Sequence, residues 1–303
     1  MKIQLIWKWL YRLLVVFALL ILLIRAADWN VRRGHTLPTR PQPNGYDELV
    51  SAARLISPSL TDVSELTDEQ IRLLAEENRP ALEQARKAFP MKSRVTLETK
   101  ADWQDRHEVE LKSLKRLAVA FALEAKSHAL ANRTNEAARC NLDIIRLAQT
   151  TGEGGLLVDG ITALAIEMIG AASLQGNLPH YDAVFCQEAA RALEEMDSHR
   201  ETPETVIATE KAWSGKRFGL IDRIGGFVGK KANAERYAKF IERSHDTRIR
   251  TQRLMLRLAA RAYELENQKP PATVSDLVPT YLKAIPRDSK TGKEIQELPI
   301  LVK

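Results

Sequence analysis

The chain has 303 residues, 45% of them hydrophobic and 6% aromatic, which is enough apolar material for one large domain or two modest ones. With 14 Gly and 13 Pro among abundant Ala, Leu, Glu and Arg, the composition favours helix over strand, and its two cysteines exclude a disulfide framework or a cysteine-based zinc pattern. The net charge of +6 is local: residues 211–262 hold fourteen Lys/Arg against four Asp/Glu, a balance of +10 that leaves −4 for the remainder.

The first 29 residues read as a single transmembrane signal-anchor. Lys2, Lys8 and Arg12 precede an unbroken apolar run from Leu13 to Ile24. That run alone spans only about 18 Å of the roughly 30 Å hydrocarbon core. Trp7, Trp9 and Tyr11 on one side and Trp29 on the other extend it, since Trp9 and Trp29 lie about 30 Å apart on a helix. Cleavage after Ala26-Ala27 is the alternative. The short basic N-terminus predicts a cytoplasmic-membrane protein with its N-terminus inside and its bulk extracytoplasmic.

Residues 30–45, with Pro38, Pro41 and Pro43, read as a semi-extended linker. A helical domain is expected over 46–268. Within it, Thr67 and Gln70 form a capping box, Pro80 suits a helix start, and one helix runs from about Trp103 to Leu130. Thr134 is expected to cap the following helix. Together these two make a hairpin of the tetratricopeptide type, with Ala137 and Ala138 at the close approach. A single such unit does not establish a repeat array. Cys140 and Cys186 lie in helical, apolar contexts and are expected to be buried.

Residues 154–174 are the most apolar internal segment. Asp159 and Glu167 argue against a second membrane span, so a central buried helix is expected, its two acids paired with arginines and Gly160 and Gly170 allowing close packing. Thr202 and Pro203 open another helix, and a last long one runs from about Asn233 to Gln268. A strand is conceivable only in "EIQELPILV" at the end.

Known catalytic motifs are missing. None of the six histidines is paired with another at helical metal-ligand spacing, and "HEVE" at His107 lacks the second His of a zinc helix. "GGFVGKK" from Gly225 to Lys231 fails the phosphate-loop spacing and supplies no hydroxyl after the lysine. Two surfaces remain as candidates. Phe218, Leu220, Ile221 and Phe227, with Lys230 and Lys231, suit contact with a membrane surface. Arg250, Arg253, Arg257 and Arg261 fall within about 80° of arc on one helix and suit an anionic partner. Nucleic acid is a poor fit, because aromatic residues do not interleave with that stripe.

The ending combines Tyr263, Leu265 and Asn267 with Pro271, Leu277, Val278, Pro279, Tyr281, Leu282, Pro286, Asp288, Gly292 and Lys293. Over about 35 residues, 269–303 at its core, it is similar to the C-terminal tail of type II secretion pseudopilins: helix, short proline-bounded helix, then a Pro-x-Asp turn. The N-terminal helix lacks the Gly-Phe pair and following Glu of that family, so the resemblance implies a tail architecture and not pilus assembly. Asp288 is followed by a basic, acid-poor turn, so no calcium site is carried over. More broadly, "PNGYDELVSAARLI" and "EAARCNLDIIRLAQ" with the apolar segment after it resemble a family of bacterial membrane-anchored helical proteins, which implies architecture and no activity.

The expected protein is all-α: a transmembrane helix, then a helical bundle or short tetratricopeptide-like array with a proline-bounded wrap. Its expected role is that of a non-enzymatic envelope scaffold or interaction module with a protein partner, needing neither cofactor nor metal. The alternative is an envelope hydrolase with its site near Asp159 and Glu167.

Overall fold

A computed structural model of the chain describes residues 2–60, 66–221, 225 and 230–298. These residues form ten α-helices, two short 3₁₀ helices and no strand. The helices are α1 (Lys2–Arg33), α2 (Gly45–Ala53), α3 (Asp68–Glu77), α4 (Arg79–Ala88), α5 (Trp103–Leu130), α6 (Thr134–Gly152), α7 (Leu157–Gly176), α8 (Ala183–Ser198), α9 (Pro203–Phe218) and α10 (Lys230–Asn267).

Local signals set many of these boundaries. The Thr67 hydroxyl accepts from the Gln70 N–H while Gln70 accepts from the Thr67 N–H, satisfying two amides that an α-helix leaves free at its start. Asp182 and Thr202 cap α8 and α9 with a single bond each, accepting from the Phe185 and Thr205 N–H. Thr134 departs from expectation. It is the first helical residue of α6, behind Arg133, and makes no capping bond. The α5–α6 turn is closed instead by backbone: the Arg133 N–H donates to the His128 carbonyl at 3.0 Å.

The two main cores share α6 and, through Ile166 and Leu174, α7. Ile144, Leu147 and Ala148 of α6 join α2–α5 in the first, whereas Ala138, Leu142 and Ile145 join α8, α10 and the tail in the second. Those two sets lie roughly 120° apart around α6, as the 100° helical step requires. The α6–α7 pair is therefore a middle layer. It is drawn tight at Gly170, where a Cβ would stand 2.6 Å from the Asn141 carbonyl oxygen.

The expectation that 154–174 is a buried helix holds for half of its surface. Ile166, Glu167, Gly170 and Leu174 are buried, but Val158, Ile161, Met168 and Ile169 are exposed. Two helices are long and apolar enough to cross a membrane: α1, exposed along its apolar window, and α7, much of it packed in the bundle.

The tail folds back as expected. Thr273 and Asp276 exchange capping bonds, the Val278–Pro279 peptide is cis, and Leu277, Tyr281 and Leu282 are buried against α8 and α10. The terminal strand does not form among the described residues, where Arg287 and Glu294 make one isolated bridge.

Candidate functional site

A cleft of about 1310 Å³ opens between the two cores. Loops after α4 and α8 form its rim, and α6, α7 and α10 its walls. Six Lys/Arg (Arg86, Lys92, Arg146, Arg200, Arg248, Lys290) line it against six carboxylates (Asp143, Glu153, Glu167, Glu195, Glu201, Glu204). Most of this charge is used internally. The Arg86 Nε donates to Asp143 at 2.8 Å and its terminal nitrogens grip Glu124. Arg146 donates to the second Asp143 oxygen at 2.9 Å. Arg200 holds Glu167, which also accepts from the Thr251 hydroxyl at 2.6 Å. Arg248 holds Asp197 at 2.8 Å, Lys290 holds Asp246, and Glu201 accepts from the Gly154 N–H. Buried charges survive only when paired in this way. Among the described residues, the carboxylates of Glu153, Glu195, Glu201 and Glu204 and the ammonium of Lys92 make no ion pair, with Arg94 and His199 near Glu153. Partial burial and the neighbouring Glu201 raise the pKa of Glu153. The residual field of the cleft is thus acidic.

Asp159 and Glu167 do not converge. Glu167 is paired with an arginine as expected, whereas Asp159 binds a histidine. Asp159 Oδ1 lies 2.7 Å from His107 Nε2, and its Oδ2 accepts from the Leu156 N–H at 2.6 Å at the start of α7. The other ring nitrogen of His107 is 3.3 Å from Glu110 and 3.4 Å from the Tyr46 hydroxyl, and Trp103 stacks on the ring with centroids 4.5 Å apart. Burial alone would lower the imidazole pKa, but the hydrogen bonds to Asp159 and Glu110 outweigh it and raise it to about 9. A smaller pocket of about 420 Å³ opens beside Trp103 and Thr162. With both ring nitrogens occupied and the ring charged, His107 offers no lone pair to a substrate there.

Glu124, His128 and Cys140 bring an oxygen, a nitrogen and a sulfur within 4.8 Å of one another, a donor set suited to a borderline metal such as zinc. The Arg86 guanidinium already occupies this corner. It sits on Glu124 and lies 3.6 Å from the Cys140 sulfur, while burial and Glu124 push the thiol pKa up. A dication there would have to displace a cation already in place. Both cysteines are buried free thiols, as expected.

The predicted surface residues fall into two groups. Arg250 and Arg253 are exposed and Arg257 half-buried, none within ion-pair distance of an acid, whereas Arg261 binds Glu264 at 3.0 Å. Phe218, Ile221, Lys230 and Lys231 are exposed and Leu220 half-buried; Phe227 lies outside the described residues. The backbone of Lys216, Arg217 and Leu220 meets the end of α1. The Leu220 N–H donates to Asp28 at 2.7 Å, and Arg32 donates to the Lys216 and Arg217 carbonyls. Gly219, at φ +57°, lies so close that a Cβ would overlap the Asp28 carboxylate.

Sequence reasoning missed the His107–Asp159 pair, the cleft and its acidic residue. Partners 33 to 57 residues apart carry no local spacing signal. Comparison with known protein families, curated proteins and solved structures finds no match.

Proposed function

We propose that this protein is a membrane-anchored, non-enzymatic interaction module that holds a basic polypeptide segment of a partner in the interlayer cleft. In this reading α1 is a single-pass anchor in the cytoplasmic membrane, its N-terminus inside and the bundle outside. The observation that carries the proposal is that Glu153, Glu195, Glu201 and Glu204 line a cleft of about 1310 Å³ and make no ion pair among the described residues. The exposed apolar surface of α1 supports the anchor. The α5–α6 hairpin acts as one tetratricopeptide-like unit, and the pseudopilin-like tail is a brace for α8 and α10.

The hydrolase reading is weaker because Asp159 and Glu167 serve separate structural pairs and His107 has no free nitrogen. The experiment places a photo-crosslinking residue at Lys92 or Glu195 in the full-length membrane-bound protein, with Glu83 on the outside of α4 as control. Crosslinks to a second polypeptide are expected from the cleft positions only, and should fall when Glu153 and Glu204 are changed to Gln. Equal yields from Glu83, or yields indifferent to the two substitutions, reject the cleft as the binding site. Extraction of the protein from membranes by alkaline carbonate rejects the anchor.

A further inference from the structure

One exposed face of α7 carries an apolar stripe. Val158, Ile161, Met168 and Ile169, between 41% and 49% exposed, form with Ala165 and Ala172 a stripe of roughly 100° of arc that bears no charge. Its borders differ from it. On α10, Thr251 turns toward α7 and Gln252 toward α8. The helical step then puts Arg243, Arg250 and Arg257 on the side away from α8, the same side as the α7 stripe. None of the three makes an ion pair among the described residues, and Arg257 Nε is buried without a partner. On the other border, Glu108 pairs with Lys112 at 2.8 Å, and Lys115 stands beside them near Val158.

We propose that this face rests on an anionic bilayer surface, with the α7 stripe at the headgroup–acyl boundary and the α10 arginines on lipid phosphates. An apolar strip bordered along α10 by arginines that make no ion pair is complementary to such a surface, since burial of the strip and attraction to the phosphates add. A second copy of the chain is a poorer occupant. Pairing like face with like sets arginines against arginines or against Lys112 and Lys115. The face also starts where the chain is tethered. Leu156, at the head of α7, packs with Trp103 and Trp213, and the helix carrying Trp213 ends on the Asp28–Arg32 clamp of α1. Tethering raises the local concentration of the face at the surface. The inference rests on the membrane anchor proposed above and is independent of the cleft.

The test uses the full-length protein in vesicles of phosphatidylcholine, with or without phosphatidylglycerol. An environment-sensitive fluorophore is placed on Ile161→Cys; the native cysteines are buried. Flotation reports the anchor, and quenching of the fluorophore by nitroxide-labelled lipid reports docking. Quenching is expected in the phosphatidylglycerol vesicles, with the docked fraction falling roughly five-fold for each of Arg250→Ala and Arg257→Ala. Both arginines lie outside the cores, and circular dichroism of the variants checks the fold. Flotation without quenching overturns docking and leaves the anchor standing. Loss of flotation overturns both. A blue shift that grows with protein-to-lipid ratio and ignores lipid charge assigns the face to a second copy and overturns the proposal.

Discussion

Asp159 has both oxygens committed, one to His107 and one to the Leu156 amide, and neither is reachable by water. Asp159→Asn removes the charge that compensates a buried imidazolium. The variant is expected to lose about 3–5 kcal/mol of stability in urea unfolding. The pH dependence has a definite sign. His107 is raised to about 9 in the fold from about 6.5 in the unfolded chain. Its contribution is therefore fully present below about pH 6.5 and is lost as pH rises through 9. Urea midpoints that fall across this alkaline range in the wild type, and stay flatter in Asp159→Asn, are the expected result. A midpoint that rises instead would contradict the pairing. The sequence showed Asp159 as a charge needing a partner but not which one. A histidine fifty-two positions away on another helix has no local mark.

At the scale of elements, Gly170 and the tail set how helices meet. At Gly170 the α6–α7 contact has no room for a methyl group, so Gly170→Ala should separate the pair and cost about 1–3 kcal/mol in thermal or urea denaturation. Leu282 is fully buried between the tail and α10, and Leu282→Ala should cost about 2–5 kcal/mol. These features were legible: the small residues of the α7 segment and the prolines bounding the wrap announce close packing and a fixed return path. Helix α7 was legible only in part. Its apolar character marks it as a core helix, yet the arrangement of its neighbours leaves one side uncovered. The capping residue of α6 was misplaced because backbone bonds closed the turn that a Thr134 cap was expected to begin.

At the scale of the whole molecule, α6 belongs to both cores, so neither layer keeps its packing once α6 is lost. Tryptophan fluorescence and helical circular dichroism should therefore report coincident unfolding transitions for the bundle. Two separated transitions would mean that the layers fold independently. The all-helical class followed from composition and 3.6-residue periodicity. The cleft did not, because it arises where two layers diverge and depends on which arginine finds which acid.

The clamp at the end of α1 bears on how the bundle is presented. Helix α1 is continuous to Arg33, and the Leu220 N–H donating to Asp28 and Arg32 donating to the Lys216 and Arg217 carbonyls bolt it to the segment around Gly219. If α1 is the anchor proposed above, this clamp ties the facing direction of the bundle to the phase of that helix. One alanine inserted between Ile24 and Asp28 would turn the bundle by about 100° and raise it by about 1.5 Å. Four would nearly restore the original heading.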